Sequence, residues 1–317
     1  MRLSFIALLL TAAILPPGRA IAAITVERSE HGAVVNIDGQ LFTEYRTRAG
    51  HEPALYPIIG PTGKPVTRSY PFTPPGETKD HPHHQSFWFT HGAVDDVDFW
   101  RTNVNDDRGD TVPHIVHREF VKSGVDNGLG HIVTHNDWLN GDKKVCTDIR
   151  DLTFGSDSGG NRWIDCAITI NAPYGDVTFG DTKEGAFAMR IVDSMRVDAK
   201  TGGRIMNSEG QTNEDTWGMP ARWVDYTGPV EGEMVGITMM CHPQSFRPKP
   251  RWHVRTYGLF AANPFGQKEF PHPEATEQGA VTIKKNDSLT LKYRVWLHRG
   301  NTNSAAIEKV FTDYTAE

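Results

Sequence analysis

The stretch Asp80 to Gly92, DHPHHQSFWFTHG, places four of the chain's 14 histidines within thirteen residues, beside one tryptophan and two phenylalanines. Three chemistries suit such a stretch. In an extended segment His81 and His83 project to the same side, the H-x-H geometry of several metal sites. A divalent cation held there would draw further ligands from His91, His242, His253 or Glu184. General acid/base work needs less: one imidazole near neutrality and one carboxylate, held about a substrate. The imidazoles on offer are His83, His84, His91, His242 and His253, with Glu184 or Asp225 as the carboxylate, and Asp80 and Asp98 placed to orient the rings. The third reading is a packed loop that is rich in histidine. Pro82 stiffens the backbone between His81 and His83 and suits that reading equally well.

Two further segments mix aromatic and polar residues. NEDTWGMPARWVDYTG (213–228) contains Trp217, Trp223, Asp225 and Tyr226. CHPQSFRPKPRWHVRTYGLFAANPFG (241–266) contains His242, Trp252, His253, Arg255, Tyr257 and Asn263. Tryptophan faces stack on the C–H faces of sugar rings, while Arg, Asp, Asn and His bond hydroxyls. Trp88, Trp223 and Trp252 form the expected stacking platform, joined by Tyr226. Arg190, Arg255 and Asn263 are the expected partners for hydroxyls or a uronate carboxylate. The competing reading has each aromatic ring filling a core with its polar end paired.

The elements that must position these groups are strands. Alternation with period two recurs at 34–37, 112–121, 130–138, 144–154, 163–170, 186–197, 234–240, 253–261, 281–285 and 289–297. Asp38-Gly39, Asn127-Gly128, Asn140-Gly141, the run 155–160, Thr201-Gly202-Gly203 and Asn286-Asp287 supply turns. One helix is expected, at the end, where Ala306, Ile307, Val310, Phe311 and Tyr314 share a face. In the last strand Leu289, Leu291, Tyr293, Val295 and Leu297 point toward a core. Thr290, Lys292, Arg294, Trp296 and His298 point away, as a ligand-holding concave sheet would have them. So many strands without a linker predict an all-β fold: a large two-sheet β-sandwich over 23–317, one domain, with a short C-terminal helix.

Residues 1–22 read as a secretory signal peptide. Arg2 gives the positive start, Leu3 to Leu15 an apolar run too short to span a bilayer, and Ala20-Ile21-Ala22 a small-x-small cleavage site. The expected location is therefore periplasmic or extracellular. Losing Arg2 and Arg19 changes the formal charge from −6 to −8, with 31 basic against 39 acidic residues. No basic block is present, so nucleic acid is not an expected partner, and no later run spans a membrane. Cys146, Cys166 and Cys241 are odd in number and read as buried packing residues, with Cys146 and Cys166 the pair to watch.

The strings LYPIIGPTGKPVTRSYPF, DHPHHQSFWFTHGAVDDVDFW, WGMPARWVDYTG and HPQSFRPKPRWHVRTYGLFAANPFG together resemble a family of secreted bacterial proteins. That family is commonly labelled methane oxygenase PmoA, or a domain of unknown function. The resemblance covers Tyr56 to His298 and implies a β-supersandwich similar to galactose mutarotase. Such folds bind sugars on a concave sheet and use histidines with a carboxylate as acid and base. No mutarotase motif maps residue by residue onto this chain, so the reaction stays open. The membrane subunit that carries the oxygenase name is polytopic, an architecture that a chain without a spanning run cannot share. The reading reached is an exported carbohydrate-active protein doing acid/base chemistry on a sugar, of epimerase, lyase or hydrolase type, with no cofactor required. Its alternatives are a non-catalytic glycan-binding module, and a metal-dependent oxygenase or lyase with His81 and His83 as ligands.

Overall fold

Tight turns set the path of the chain. Asp38 and Gly39 have φ of 53° and 72°, Asn127 and Gly128 49° and 79°, and Glu231 and Gly232 50° and 85°. Two consecutive left-handed residues make the hairpin turn whose twist matches its flanking strands, which explains the Asx-Gly signals. The computed structural model describes residues 22–72, 77–102, 109–272 and 278–316. The expected signal peptide, Ala22 apart, lies outside the described residues.

Eighteen strands are present among them. They are β1 (Ile24–Arg28), β2 (Gly32–Ile37), β3 (Gln40–Ala49), β4 (Glu52–Leu55), β5 (Phe87–His91), β6 (Pro113–Asp126), β7 (Leu129–Asn140), β8 (Lys143–Ser156) and β9 (Arg162–Asn171). The rest are β10 (Val177–Phe179), β11 (Gly185–Arg190), β12 (Arg204–Asn207), β13 (Trp223–Val230), β14 (Glu233–Cys241), β15 (Arg251–Val254), β16 (Leu259–Asn263), β17 (Val281–Ile283) and β18 (Ser288–Arg299). One helix, α1 (Ser304–Ala316), follows. The first eight-stranded sheet runs β1-β2-β3-β4-β5-β11-β16-β15, and the second runs β12-β13-β14-β18-β9-β8-β7-β6. β10 and β17 pair separately. The fold is an all-β two-sheet sandwich.

Alternation along each strand divides core from outer face. In β5, Phe87 and Phe89 enter the core between the sheets while Trp88 joins a separate apolar cluster on the outer face. Rings bridge the two sheets: Phe187 stacks on Tyr293 at 4.5 Å, and Phe89 meets Trp138 edge-on at 5.7 Å. A buried ion pair crosses the same interior. Arg150 bonds both carboxylate oxygens of Asp148 at 3.1 Å and donates to the Pro53 carbonyl at 3.2 Å. Asp148 also accepts from Asn136 and from the Trp138 indole, each at 2.7 Å. All three cysteines are buried free thiols.

Three expectations change. The run 186–197 leaves the strand after Arg190 and closes a 3-10 turn at Asp193–Met195. The run 253–261 is two strands, β15 and β16, because Gly258 takes φ of 96° and the Gly258 amide closes a turn onto the Arg255 carbonyl. That turn lifts Arg255, Thr256 and Tyr257 out of the sheet. On the outward face of β18, Trp296 is not open to a ligand: it packs with Trp223, Met240, Ile307, Phe311 and Tyr314 beneath α1. No helix among the described residues is long and apolar enough to cross a membrane.

Candidate functional site

The outer face of the first sheet is floored by small residues. Ala54 pairs with Trp88, Trp88 with Ala188, Ala188 with Ala261, and Ala261 with His253, so these five side chains share one face. Alanine on adjacent strands leaves height above the sheet, and a second layer of rings fills it. Trp88 lies 5.2 Å from Trp100, His84 stacks on Trp88 at 5.7 Å, His81 on His84 at 4.6 Å, and Tyr257 on His81 at 5.3 Å. The indole nitrogens of Trp88 and Trp100 are buried without a hydrogen-bond partner among the described residues.

Charge fixes the histidine loop over this layer. The fully buried Arg68 guanidinium donates to the carbonyls of Tyr70, Thr78, His81 and His84, and to Asp80. Arg190, equally buried, holds both Asp80 oxygens at 2.8 and 3.1 Å. Asp80 is therefore the shared counter-ion of two arginines. Arg190 also donates to His84 Nδ1 at 3.2 Å, which leaves the His84 proton on Nε2. Both Arg190 and Trp88, expected to touch substrate, lie within this supporting layer.

The segment 81–84 is a turn rather than an extended run, and the H-x-H argument fails for that reason. His81 has φ of 41°, Pro82 follows it, and the His84 amide closes onto the His81 carbonyl at 2.8 Å. His81 Nδ1 sits 3.2 Å from Asp80, while its ring is stacked on Tyr257 and His84. No three His, Cys, Asp or Glu side chains among the described residues are grouped to hold a metal ion. The donor set does not fit a metal centre at His81 and His83.

Two rings able to move a proton, His83 and His253, feel the charge of one carboxylate, Glu184. His253 Nδ1 lies 2.8 Å from the Lys183 carbonyl, and a carbonyl only accepts, so Nδ1 carries the hydrogen and Nε2 keeps its lone pair. That Nε2 has no partner among the described residues. Burial pushes His253 down to about 4, opposed by the nearby Glu184 charge. Glu184 Oε1 accepts from Arg101 at 2.9 Å, with Lys183 Nζ at 3.6 Å. The half-buried His83 has no hydrogen-bond partner for either ring nitrogen among the described residues. Burial and His81 push it to about 4, again against the Glu184 charge. His84, more deeply buried, is pushed further below its ordinary value. All three imidazoles are neutral near pH 7, with His83 and His253 in the field of one carboxylate.

Close approach places Glu184. A Cβ on Gly92 would lie 2.8 Å from the Glu184 Cβ, and one on Gly185 would lie 2.3 Å from His91 Nδ1. His91 thus faces the core side of β5 and packs under the strand that follows Glu184, its Nε2 2.8 Å from the Gly180 carbonyl. Asn263 is spent on the same loop: its amide donates to the Thr182 carbonyl at 2.9 Å, and its oxygen accepts from the Phe265 amide at 3.0 Å.

Arg255, Tyr257 and Trp217 are each half-buried and form one cluster. The Arg255 guanidinium lies 4.7 Å from the Trp217 ring centre and 5.5 Å from that of Tyr257. Trp100, Arg101 and Lys183 lie near these groups without having been singled out from sequence, while Trp217 and Tyr257 were named there only as members of their segments.

The remaining candidates lie elsewhere. Trp252 points into the core between the sheets, its Nε1 donating to the Ala221 carbonyl at 2.9 Å, because it alternates with His253. Trp223 lies under α1 and donates to Glu308 at 2.9 Å. Neither ring is open to stack on a sugar. Tyr226 is a core residue whose hydroxyl donates to the Thr256 carbonyl at 3.1 Å, bracing the Arg255 turn from below. Asp225 and His298 form a buried pair in the second sheet, Nε2 to Oδ1 at 3.0 Å, which holds the His298 ring above its ordinary pKa against its burial. His242 packs edge-on against Tyr314 at 4.9 Å, near the far end of α1. These residues do not converge with His83 and His253.

A family model matches residues 32–312. The chain belongs to DUF6807, a family of unknown function. No curated protein matches this DUF6807 chain in sequence. Among solved structures it is similar to an alpha-galactosidase from Lactobacillus brevis, at 7% identity and a TM-score of 0.44, covering 89% of this chain and 40% of that one. It is similar also to a galactose mutarotase-like protein from Clostridium acetobutylicum, at 11% identity and a TM-score of 0.36, covering 88% and 99%. A polysaccharide lyase follows at 11% identity and a TM-score of 0.32, covering 90% of this chain and 33% of that one. The chain thus spans well under half of the galactosidase and of the lyase.

Proposed function

We propose that this protein is an exported enzyme that performs acid/base chemistry on a sugar at the outer face of the first sheet. The observation that carries the reading is the tautomer of His253. Its Nδ1–H is committed to the Lys183 carbonyl, which leaves Nε2 as an unpartnered acceptor beside the Glu184 carboxylate. In the reaction, Nε2 takes a proton from a sugar hydroxyl or an acidic C–H, and Glu184 stabilises the imidazolium formed. His83, with neither nitrogen engaged, is the second group able to exchange a proton. Epimerisation, β-elimination and hydrolysis all need such a pair. Export rests on residues 1–22, and N-terminal sequencing of protein collected outside the cytoplasm tests cleavage after Ala22.

The activity test is a turnover screen of oligosaccharides with wild type, His83→Ala and His253→Ala. Loss of turnover with retained binding supports the enzyme. A sugar that binds, is never transformed and binds the two variants equally well identifies a glycan-binding module instead.

A further inference from the structure

Among the described residues, every cation around the proton-transfer groups has a carboxylate except one. Arg68 and Arg190 share Asp80, Arg101 holds Glu184, and Lys183 lies 3.3 Å from Glu269. The Arg255 guanidinium has ring contacts with Trp217 and Tyr257, and no carboxylate or hydrogen-bond acceptor among the described residues. It is half-buried, in a chain of formal charge −6 that has acidic side chains in excess.

An aromatic face steadies a guanidinium's charge but leaves its N–H donors unsatisfied. Donors removed from part of their water and given no acceptor carry a standing cost, which an incoming oxyanion would relieve. A guanidinium also matches a planar carboxylate with two parallel hydrogen bonds, which an ammonium does not. Arg255 stands within electrostatic range of His253, since its charge adds to the burial that lowers that ring. The turn that presents it is braced by the Tyr226 hydroxyl and closed by Gly258, so its position is built rather than incidental.

We infer that the sugar taken by this site is acidic, and that Arg255 binds its carboxylate or sulfate against Trp217. The inference rests on the sugar-site reading above and names the class of sugar.

The test is calorimetric titration of the full mature chain with galacturonate oligosaccharides, the matched galactose oligosaccharides and a galactose 6-sulfate oligosaccharide. The expected result is an acidic sugar bound at least tenfold more tightly than the neutral one. Arg255→Gln should erase that preference, Arg255→Lys should keep part of it, and His253→Gln should keep it whole. Preference for the uronate over the sulfate, or the reverse, identifies which acidic group is read. Equal binding of acidic and neutral sugars, or a preference that survives Arg255→Gln, overturns the acidic-sugar inference and leaves the sugar site standing. Binding of none of these sugars overturns both. Circular dichroism of each variant separates lost recognition from lost folding.

Discussion

His253 Nδ1 sits 2.8 Å from the carbonyl oxygen of Lys183, the residue before Glu184. One hydrogen bond therefore fixes both the ring's tautomer and its position beside the carboxylate. His253→Ala should lower kcat roughly a hundredfold or more, the usual size of acid/base catalysis, and change substrate affinity far less. Steady-state kinetics on the first substrate found checks this. A variant that loses only affinity would remove His253 from the chemistry.

The acid limb of the activity profile should lie near pH 4 rather than near the ordinary imidazole value. His83 and His253 both stand at about 4, so they stay neutral as pH falls through 6.5. Activity should be flat there and fall as the rings protonate. Stability moves the other way from a salt-bridged histidine. Between about 4 and 6.5 the unfolded state binds a proton that the folded state does not, so stability rises with pH. The contribution of His91 and His253 is complete above about 6.5 and is lost as pH falls toward 4. The slope is at most about 1.4 kcal/mol per pH unit for each ring. Urea unfolding of wild type and His91→Gln between pH 7 and 4.5 should show a shallower slope in the variant.

Trp217 and Trp223 lie six residues apart in the chain and should respond oppositely to truncation. Trp217→Ala should weaken sugar binding with little loss of stability, since the ring is half-buried. Trp223→Ala and Trp252→Ala empty core positions and should cost about 3–5 kcal/mol while leaving the binding groups in place. Paired unfolding and titration experiments distinguish them. Weakened binding in Trp223→Ala at full stability would contradict the assignment.

Asp148 is wholly buried and, among the described residues, is the only carboxylate hydrogen-bonded to Arg150. Asp148→Ala leaves that guanidinium uncompensated between the sheets, and should destabilise by about 3–5 kcal/mol. Because Arg150 also donates across the core to the Pro53 and Phe89 carbonyls of the first sheet, unfolding should be one transition in wild type. Two separate transitions in calorimetry would show that the sheets fold independently.

Period-two alternation, Asx-Gly turns and the apolar stripe of α1 are local properties, so the sandwich and its helix were legible in the sequence. So was the concentration of histidine before β5, whereas His83, His253, Glu184 and Arg255 stood in a longer set of polar candidates that sequence did not rank. Sequence could not say which face each group takes. Trp252 and His253 are neighbours, yet alternation sends one into the core and the other to the opposite face of the sheet. The chain alone did not show that Gly258 breaks the strand after His253, or that α1 covers Trp296 and Trp223. Asp80 reads as one more acid until Arg68 and Arg190, brought from distant segments, claim it. Pairing of charges and the protonation of a ring depend on neighbours far away in sequence. Only the packed sheets decide them.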